Sequence, residues 1–257
     1  MPPAACAIEC RDLSRTFGTR KVLDQLRFSV KAGSITALVG SNGAGKTTLM
    51  KILATLLVPT SGLATVAGLD VTMDPQRVRR CIGYVPSEER SFYWRLTVRQ
   101  NLEFFAAMHG LAPAAARRDC DSHLEALSLL GRADTRFGEL STGMKQALGI
   151  IRGLLHDPAV LLLDEPTRSL SPDLAQRAWG LLRRQAVDKG RTILIATHNL
   201  GEAQGGAEEV AVLHQGRIQA CGPLARLHGE AGLAGDPNLE RLFFALTGDA
   251  LAQAGQP

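Results

Sequence analysis

The sequence predicts an α/β fold in which a mostly parallel sheet is interrupted by a mostly helical insertion. Three observations carry that prediction. Two continuous apolar runs, residues 159–163 and the TILIAT segment at 192–197, each end in polar residues, the pattern of strands buried on both faces of a parallel sheet. Between them and the N-terminal half, residues 98–157 are rich in Ala, Leu and Arg, with helical periodicity in VRQNLEFFAAMHG and RRDCDSHLEALSLLG. Upstream, SITALVG passes through a glycine-rich loop into TTLMKILATLL, a strand-loop-helix succession.

Taken in chain order, VLDQLRFSV and SITALVG flank the Lys31-Ala32-Gly33 turn and read as a hairpin or as paired strands. The helix opening at Thr47 keeps its apolar spacing up to Pro59, after which Thr60, Ser61 and Gly62 make a turn. CIGYVP is a short strand. Ser171-Pro172-Asp173 reads as a helix start, with Ser at the N-cap, Pro at the first helical position and an acid in the first turn. In the tail, Leu239, Leu242, Phe243 and Leu246 share one apolar face, and residues 247–257 have little to bury and are expected to fray. No internal repeat is present. The expected organisation is a main unit over 1–230, with the helical insertion at about 88–158, and a short helical extension over 231–257.

Composition excludes several classes. A chain of 257 residues, 45% hydrophobic and 21% charged, has enough apolar material for a sizeable core and is not generally disordered. No apolar run approaches the roughly 18 residues of a membrane span, and MPPAACAIEC lacks the pattern of a secretory signal, which predicts residence in the cytosol. Five scattered cysteines without a CxxC pair indicate neither a disulfide framework nor a zinc site. The net charge of +4 fits binding of a small polyanion such as a nucleotide and gives no argument for nucleic acid.

The segment Gly40-Ser41-Asn42-Gly43-Ala44-Gly45-Lys46-Thr47, followed by Thr48, matches GxxxxGK[ST] at every fixed position. Glycines let the backbone curl so that several N–H groups point at phosphate oxygens, and the helix N-terminus adds a partial positive charge. Lys46 supplies a full charge to the β- and γ-phosphates, and the Thr47 hydroxyl suits Mg²⁺. A dinucleotide fingerprint is excluded, because the glycines read GxxGxG. The bland alternative is a glycine-rich turn capping a helix.

A triphosphatase also needs an acid at a strand end to hold magnesium through water, and Asp164 closes such a strand. Glu165 follows and suits a general base for the attacking water. His198, at the end of TILIAT, is placed to sense a γ-phosphate, although a lone His at a strand end is more often structural.

Together with Leu140-Ser141-Thr142-Gly143-Met144-Lys145-Gln146, these segments resemble the nucleotide-binding subunit of an ATP-binding-cassette transporter of the drug or polymer exporter type. The likeness covers about residues 8–248. GSNGAGKTT is similar to the family's Walker A, AVLLLDEPT to Walker B, THNLGEA to the His switch region, and the LSTGM form to its LSGGQ signature. The resemblance implies a P-loop NTPase fold with a mostly parallel core, an N-terminal antiparallel β subdomain and an inserted helical subdomain. It implies an ATPase with ATP and Mg²⁺ as cofactors, a homodimer closed around two nucleotides, and a separate integral membrane permease at the cytoplasmic side of the membrane, with no nucleic-acid partner. Ser141 and the Gly143 backbone would contact the γ-phosphate bound by the other copy. Phe17 falls where the family stacks an aromatic on adenine, with a buried core Phe as the competing reading.

Two departures stand out. Ser87 occupies the place after IGYVP where the family usually has a Gln that reaches the metal; a hydroxyl can ligate Mg²⁺ but is shorter, and Glu88 or Glu89 is an alternative source of oxygen. SLSPD replaces the usual LDP-type loop, so Ser171 keeps the capping chemistry of Asp without its charge. These suggest one rival to an export motor, a nucleotide-dependent regulatory or binding subunit with weak hydrolysis; a soluble non-transport cassette ATPase is a second rival. Six of the 12 aromatic residues, Tyr84, Phe92, Tyr93, Trp94, Phe104 and Phe105, lie within 22 positions. Phe104 and Phe105 are expected in the core, and Phe92, Tyr93 and Trp94 on a docking surface for the membrane partner, with simple packing as the alternative.

Overall fold

The computed structural model describes residues 6–233 and 238–248. β1 (Cys6–Phe17) and β2 (Arg20–Lys31) pair antiparallel, and β1 pairs on its other side with β4 (Ser61–Val66), against which the two-residue β5 (Leu69–Asp70) pairs antiparallel at the sheet edge. The second sheet has the order β10-β9-β3-β8-β7-β6, comprising β3 (Ile35–Val39), β6 (Ile82–Val85), β7 (Val160–Asp164), β8 (Thr192–Thr197), β9 (Glu209–His214) and β10 (Arg217–Gly222). All its pairings are parallel except the edge pair β9/β10.

The predicted hairpin between VLDQLRFSV and SITALVG does not form: β2 and β3 lie in different sheets. Burial explains the separation. β2 largely alternates buried and exposed residues, as a strand covered on one face does, whereas all five residues of β3 are buried and need cover on both faces. The expected turn at Ser61 and Gly62 is instead the start of β4.

The central strands sort their side chains by pleat. Leu161 and Leu163 of β7 and Ile193 and Ile195 of β8 pack into a core shared with the helical insertion. Val160, Leu162, Leu194 and Ala196 point the other way, into a core shared with β1, β2 and α1 (Lys46–Leu53). Each fully buried Leu or Ile contributes about 1.5–3 kcal/mol by leaving water. α1 is shorter than its apolar spacing predicts. It stops at Leu53 because Thr55 turns left-handed (φ 61°) and the Leu56 N–H folds back to the Lys51 carbonyl.

After α2 (Pro75–Cys81) and β6, the insertion supplies α3 (Val98–Met108), α4 (Pro113–Ala126) and α5 (Thr142–Leu154). A full capping box starts α3: Thr97 accepts from the Gln100 N–H, and the Gln100 side chain accepts from the Thr97 N–H. α5 lies directly on β6, where a Cβ added to Gly83 would fall 2.0 Å from the Gly153 carbonyl oxygen. α6 (Pro172–Lys189) has Ser171 at its N-cap as predicted, but the Ser171 side chain accepts no backbone N–H, so the expected capping bond is not made. α7 (Leu200–Gly206), α8 (Leu224–Glu230) and α9 (Leu239–Thr247) follow. Leu239, Leu242 and Phe243 of α9 are buried in a third core with Val210 and Val212. The fraying expected for 247–257 concerns, from residue 249 onward, positions outside the described residues. Among the described residues no helix is long and apolar enough to cross a membrane.

Candidate nucleotide site

β3, β7 and β8 are neighbours running in one direction, so the loops leaving their C-terminal ends meet at one edge of the sheet, where open α/β folds form their ligand crevices. A cleft of about 1030 Å³ lies there. The loop after β3 forms its floor. Gly45, at the N-cap of α1, has φ 113°, which only glycine adopts readily, and it turns the chain into the helix that begins at Lys46. Lys46 is 6% exposed, and its Nζ donates to the carbonyls of Gly40 (2.6 Å) and Ser41 (3.3 Å). Burial lowers its pKa, opposed by the carboxylates of Glu165 and Asp164.

The next strand end supplies the acids. Thr47 Oγ1 donates to Asp164 Oδ2 at 2.8 Å. Asp164 is fully buried, and desolvation raises its pKa against the lowering effect of the Thr47 bond. Its Oδ1 has no hydrogen-bond partner. A buried carboxylate oxygen without a partner, beside a hydroxyl at the phosphate loop, fits a hydrated magnesium ion. Glu165 is held at φ 50° with its N–H donated to the Ala196 carbonyl at 2.8 Å. Its carboxylate lies 2.8 Å from His198 Nδ1 and 3.9 Å from Lys46 Nζ. Lys46, Thr47, Asp164, Glu165 and His198 therefore converge from three loops.

Ser41, Asn42, Gly43, Gly45 and Thr48 line the same cleft, as does Ser87. The Ser87 loop is held to α5 by a bond from Gln146 Nε2 to the Pro86 carbonyl (3.2 Å). Glu88 and Glu89 do not take over the missing amide's place. Glu88 is exposed and pairs with Arg90, while Glu89 is buried against Arg152 at 3.1 Å, away from the cleft. Phe17 is not part of the cleft wall; it is 44% exposed beneath the Arg15 guanidinium at 4.4 Å. Arg20 and Val22 of the next strand line the wall instead. Ser141 caps α5, accepting from the Met144 N–H at 3.3 Å, and like Gly143 lies outside this cleft.

Thr167, Arg168, Thr197, Asn199 and Glu202 also line the cleft. Sequence reasoning assigned them no roles, although all but Arg168 fall within segments it singled out. Their signal is local chemistry beside a strand end, and it becomes specific only when two loops meet.

The aromatic cluster divides differently from expectation. Phe92 is buried, stacked on Phe137 at 4.6 Å, because its neighbours there are the apolar faces of α3 and α5. Tyr93, Trp94 and Phe104 are exposed. Fully buried Asn101 shapes this rim by accepting from the Tyr93 N–H (2.8 Å) and donating to the Tyr93 and Thr97 carbonyls.

A parallel-sheet P-loop fold with this cleft defines the class of P-loop nucleotide-binding domains. The sequence profile of the ABC transporter family matches residues 23–168, and the chain belongs to that family. It is 36% identical over 249 residues to the probable multidrug ABC transporter ATP-binding protein YbhF of Escherichia coli (strain K12). That match takes in 96% of this chain and 43% of the relative, so the chain spans less than half of that protein's length. It is 38% identical over 226 residues to the Nod factor export ATP-binding protein I of Burkholderia orbicola (strain AU 1054), covering 88% of this chain and 74% of that one. A solved ATP-binding subunit of an ABC transporter superposes with a TM-score of 0.86 at 31% identity, over 93% of this chain and 99% of the other.

Proposed function

We propose that this chain is the ATP-binding and ATP-hydrolysing motor of an exporter, closing as a homodimer around two Mg·ATP and driving a separate membrane subunit from the cytoplasmic side. The convergence of Lys46, the Thr47–Asp164 pair and the Glu165–His198 pair in one cleft carries this reading. The export-type relatives support its direction.

Each residue's part follows from its surroundings. Lys46, now donating to loop carbonyls, is next to where the β- and γ-phosphates would lie, and its buried charge is weakly screened there. Thr47 and, through water, Asp164 would hold magnesium, with the Ser87 hydroxyl near; the ion would neutralise charge on the phosphate oxygens. Glu165 accepts a proton from the attacking water, and His198 orients its carboxylate and contacts the γ-phosphate. Ser141 and Gly143, outside their own chain's cleft, serve the nucleotide of the other copy. The exposed Tyr93, Trp94 and Phe104 rim is the docking surface for a helix of the membrane subunit.

Glu165→Gln keeps the hydrogen bonding and removes the base. It should accumulate an ATP-bound dimer on size exclusion in MgATP; a variant that binds ATP and stays monomeric contradicts the mechanism. Ser87 and the uncharged Ser171 favour a second reading, a regulatory subunit with weak hydrolysis. Steady-state phosphate release no faster in wild type than in Glu165→Gln would favour it.

A further inference from the structure

We propose that Thr167 and Glu202 form a clasp between the loops leaving β7 and β8, and that this clasp positions Glu165 against His198. The inference rests on reading Glu165 and His198 as the hydrolytic pair.

The clasp begins in the capping of α7. Asn199 is the N-cap, and its Oδ1 accepts from the Glu202 N–H at 3.1 Å. An acid at this third helical position commonly folds back onto the N-cap N–H to complete a capping box. Here that N–H is already taken, since Asn199 N donates to Thr197 Oγ1 at 3.0 Å. The Glu202 carboxylate is thereby released to reach across to the neighbouring loop, where it accepts the Thr167 hydroxyl. Thr167 is 6% exposed and set in a tight turn, its carbonyl accepting from the Leu170 N–H at 3.0 Å. A buried hydroxyl needs such a partner, and a charged acceptor makes the bond stronger than a neutral one.

On the other side of the pair, the Glu165 N–H donates to the Ala196 carbonyl, continuing the β7/β8 ladder. The contact between Glu165 and His198 thus lies between two ties, one made by backbone and one by side chains. Glu165 sits at φ 50°, a conformation that a non-glycine residue keeps only when its surroundings hold it. Thr197 Oγ1 also donates to Glu165 Oε2, at a long 3.5 Å, and the clasp adds a further constraint where the two loops diverge into α6 and α7 beyond Glu165. Thr167 and Glu202 act through Glu165 and His198, as positioning residues.

The test compares Thr167→Val and Glu202→Ala with Thr167→Ser and Glu202→Gln in the full chain. T167V and E202A should each lose about tenfold in kcat for phosphate release with KM for MgATP within about twofold, since small displacements of reacting groups cost rate more than binding. The double variant T167V/E202A should be no worse than either single one. T167S and E202Q each retain a donor and an acceptor and should stay near wild type. Independently of turnover, the imidazole nitrogen NMR signals of His198 should shift alike in T167V and E202A. Unchanged kcat, a loss carried by KM, or additive losses in the double variant would overturn the clasp. A wild type that binds ATP without hydrolysing it would count against the hydrolytic reading, and the His198 signals then decide: unchanged signals in both variants overturn the clasp.

Discussion

An alanine methyl at position 143 would sit 2.5 Å from the Ser169 carbonyl oxygen and 3.3 Å from the Leu170 Cα. Both are backbone atoms, so neither yields by changing rotamer. Gly143→Ala should destabilise the chain by about 1–3 kcal/mol, read as a lowered urea midpoint, because overpacking forces a backbone shift. The same contact ties the signature segment to the loop after Glu165 within one chain. Lys46, Thr47 and Asp164 were legible because their roles depend on fixed spacing or on a strand end, both visible in one dimension. Glu202 and Arg20 were not, since their place in the cleft depends on which loops the sheet order brings together. Phe17 is exposed beside Arg15, which removes the competing reading of a buried core Phe.

At the level of elements, a groove between α4 and α6 holds a half-buried titratable group. Burial pushes the pKa of His123 down to about 4 from 6.5, with Lys189 and Arg191 pushing the same way against Asp119 and Asp157. A depressed pKa means that protonation favours the unfolded chain, so this stability is present above about pH 6.5 and drains as the pH falls toward 4. His123→Gln should therefore lose about 2 kcal/mol less than wild type between pH 8 and pH 5 in paired urea titrations. The strands buried on both faces and the capped helices were readable from periodicity. What periodicity did not supply was partnership: β2 and β3 are adjacent in sequence and belong to separate sheets, and β4 opens where Ser and Gly suggested only a turn. Phe92 and Phe104 exchanged their expected places because aromatic density does not reveal which side of α3 faces α5.

Across the whole molecule the nucleotide cleft and the aromatic rim are separate surfaces, and they should fail separately. Trp94 is 63% exposed, with the Lys145 ammonium 4.3 Å from its ring centre. If the proposed docking holds, Trp94→Ala should leave the Kd for ATP within about twofold and reduce transport by the proposed assembly with a membrane subunit by about tenfold or more, as loss of an interface hot spot does. Loss of folding, or transport unchanged, would remove the rim from the proposal. The contact between Gly83 and Gly153 makes α5 a rigid lever seated on the edge strand β6. Ser141 lies 12 residues from that seat, about 18 Å along a helix axis. A tilt of about 5° at the glycine seat would swing Ser141 by roughly 1.6 Å, enough to make or break a hydrogen bond. In the proposed dimer, two residues without side chains, one on β6 and one near the C-terminal end of α5, would thereby set the tolerance to which the signature segment meets the other copy.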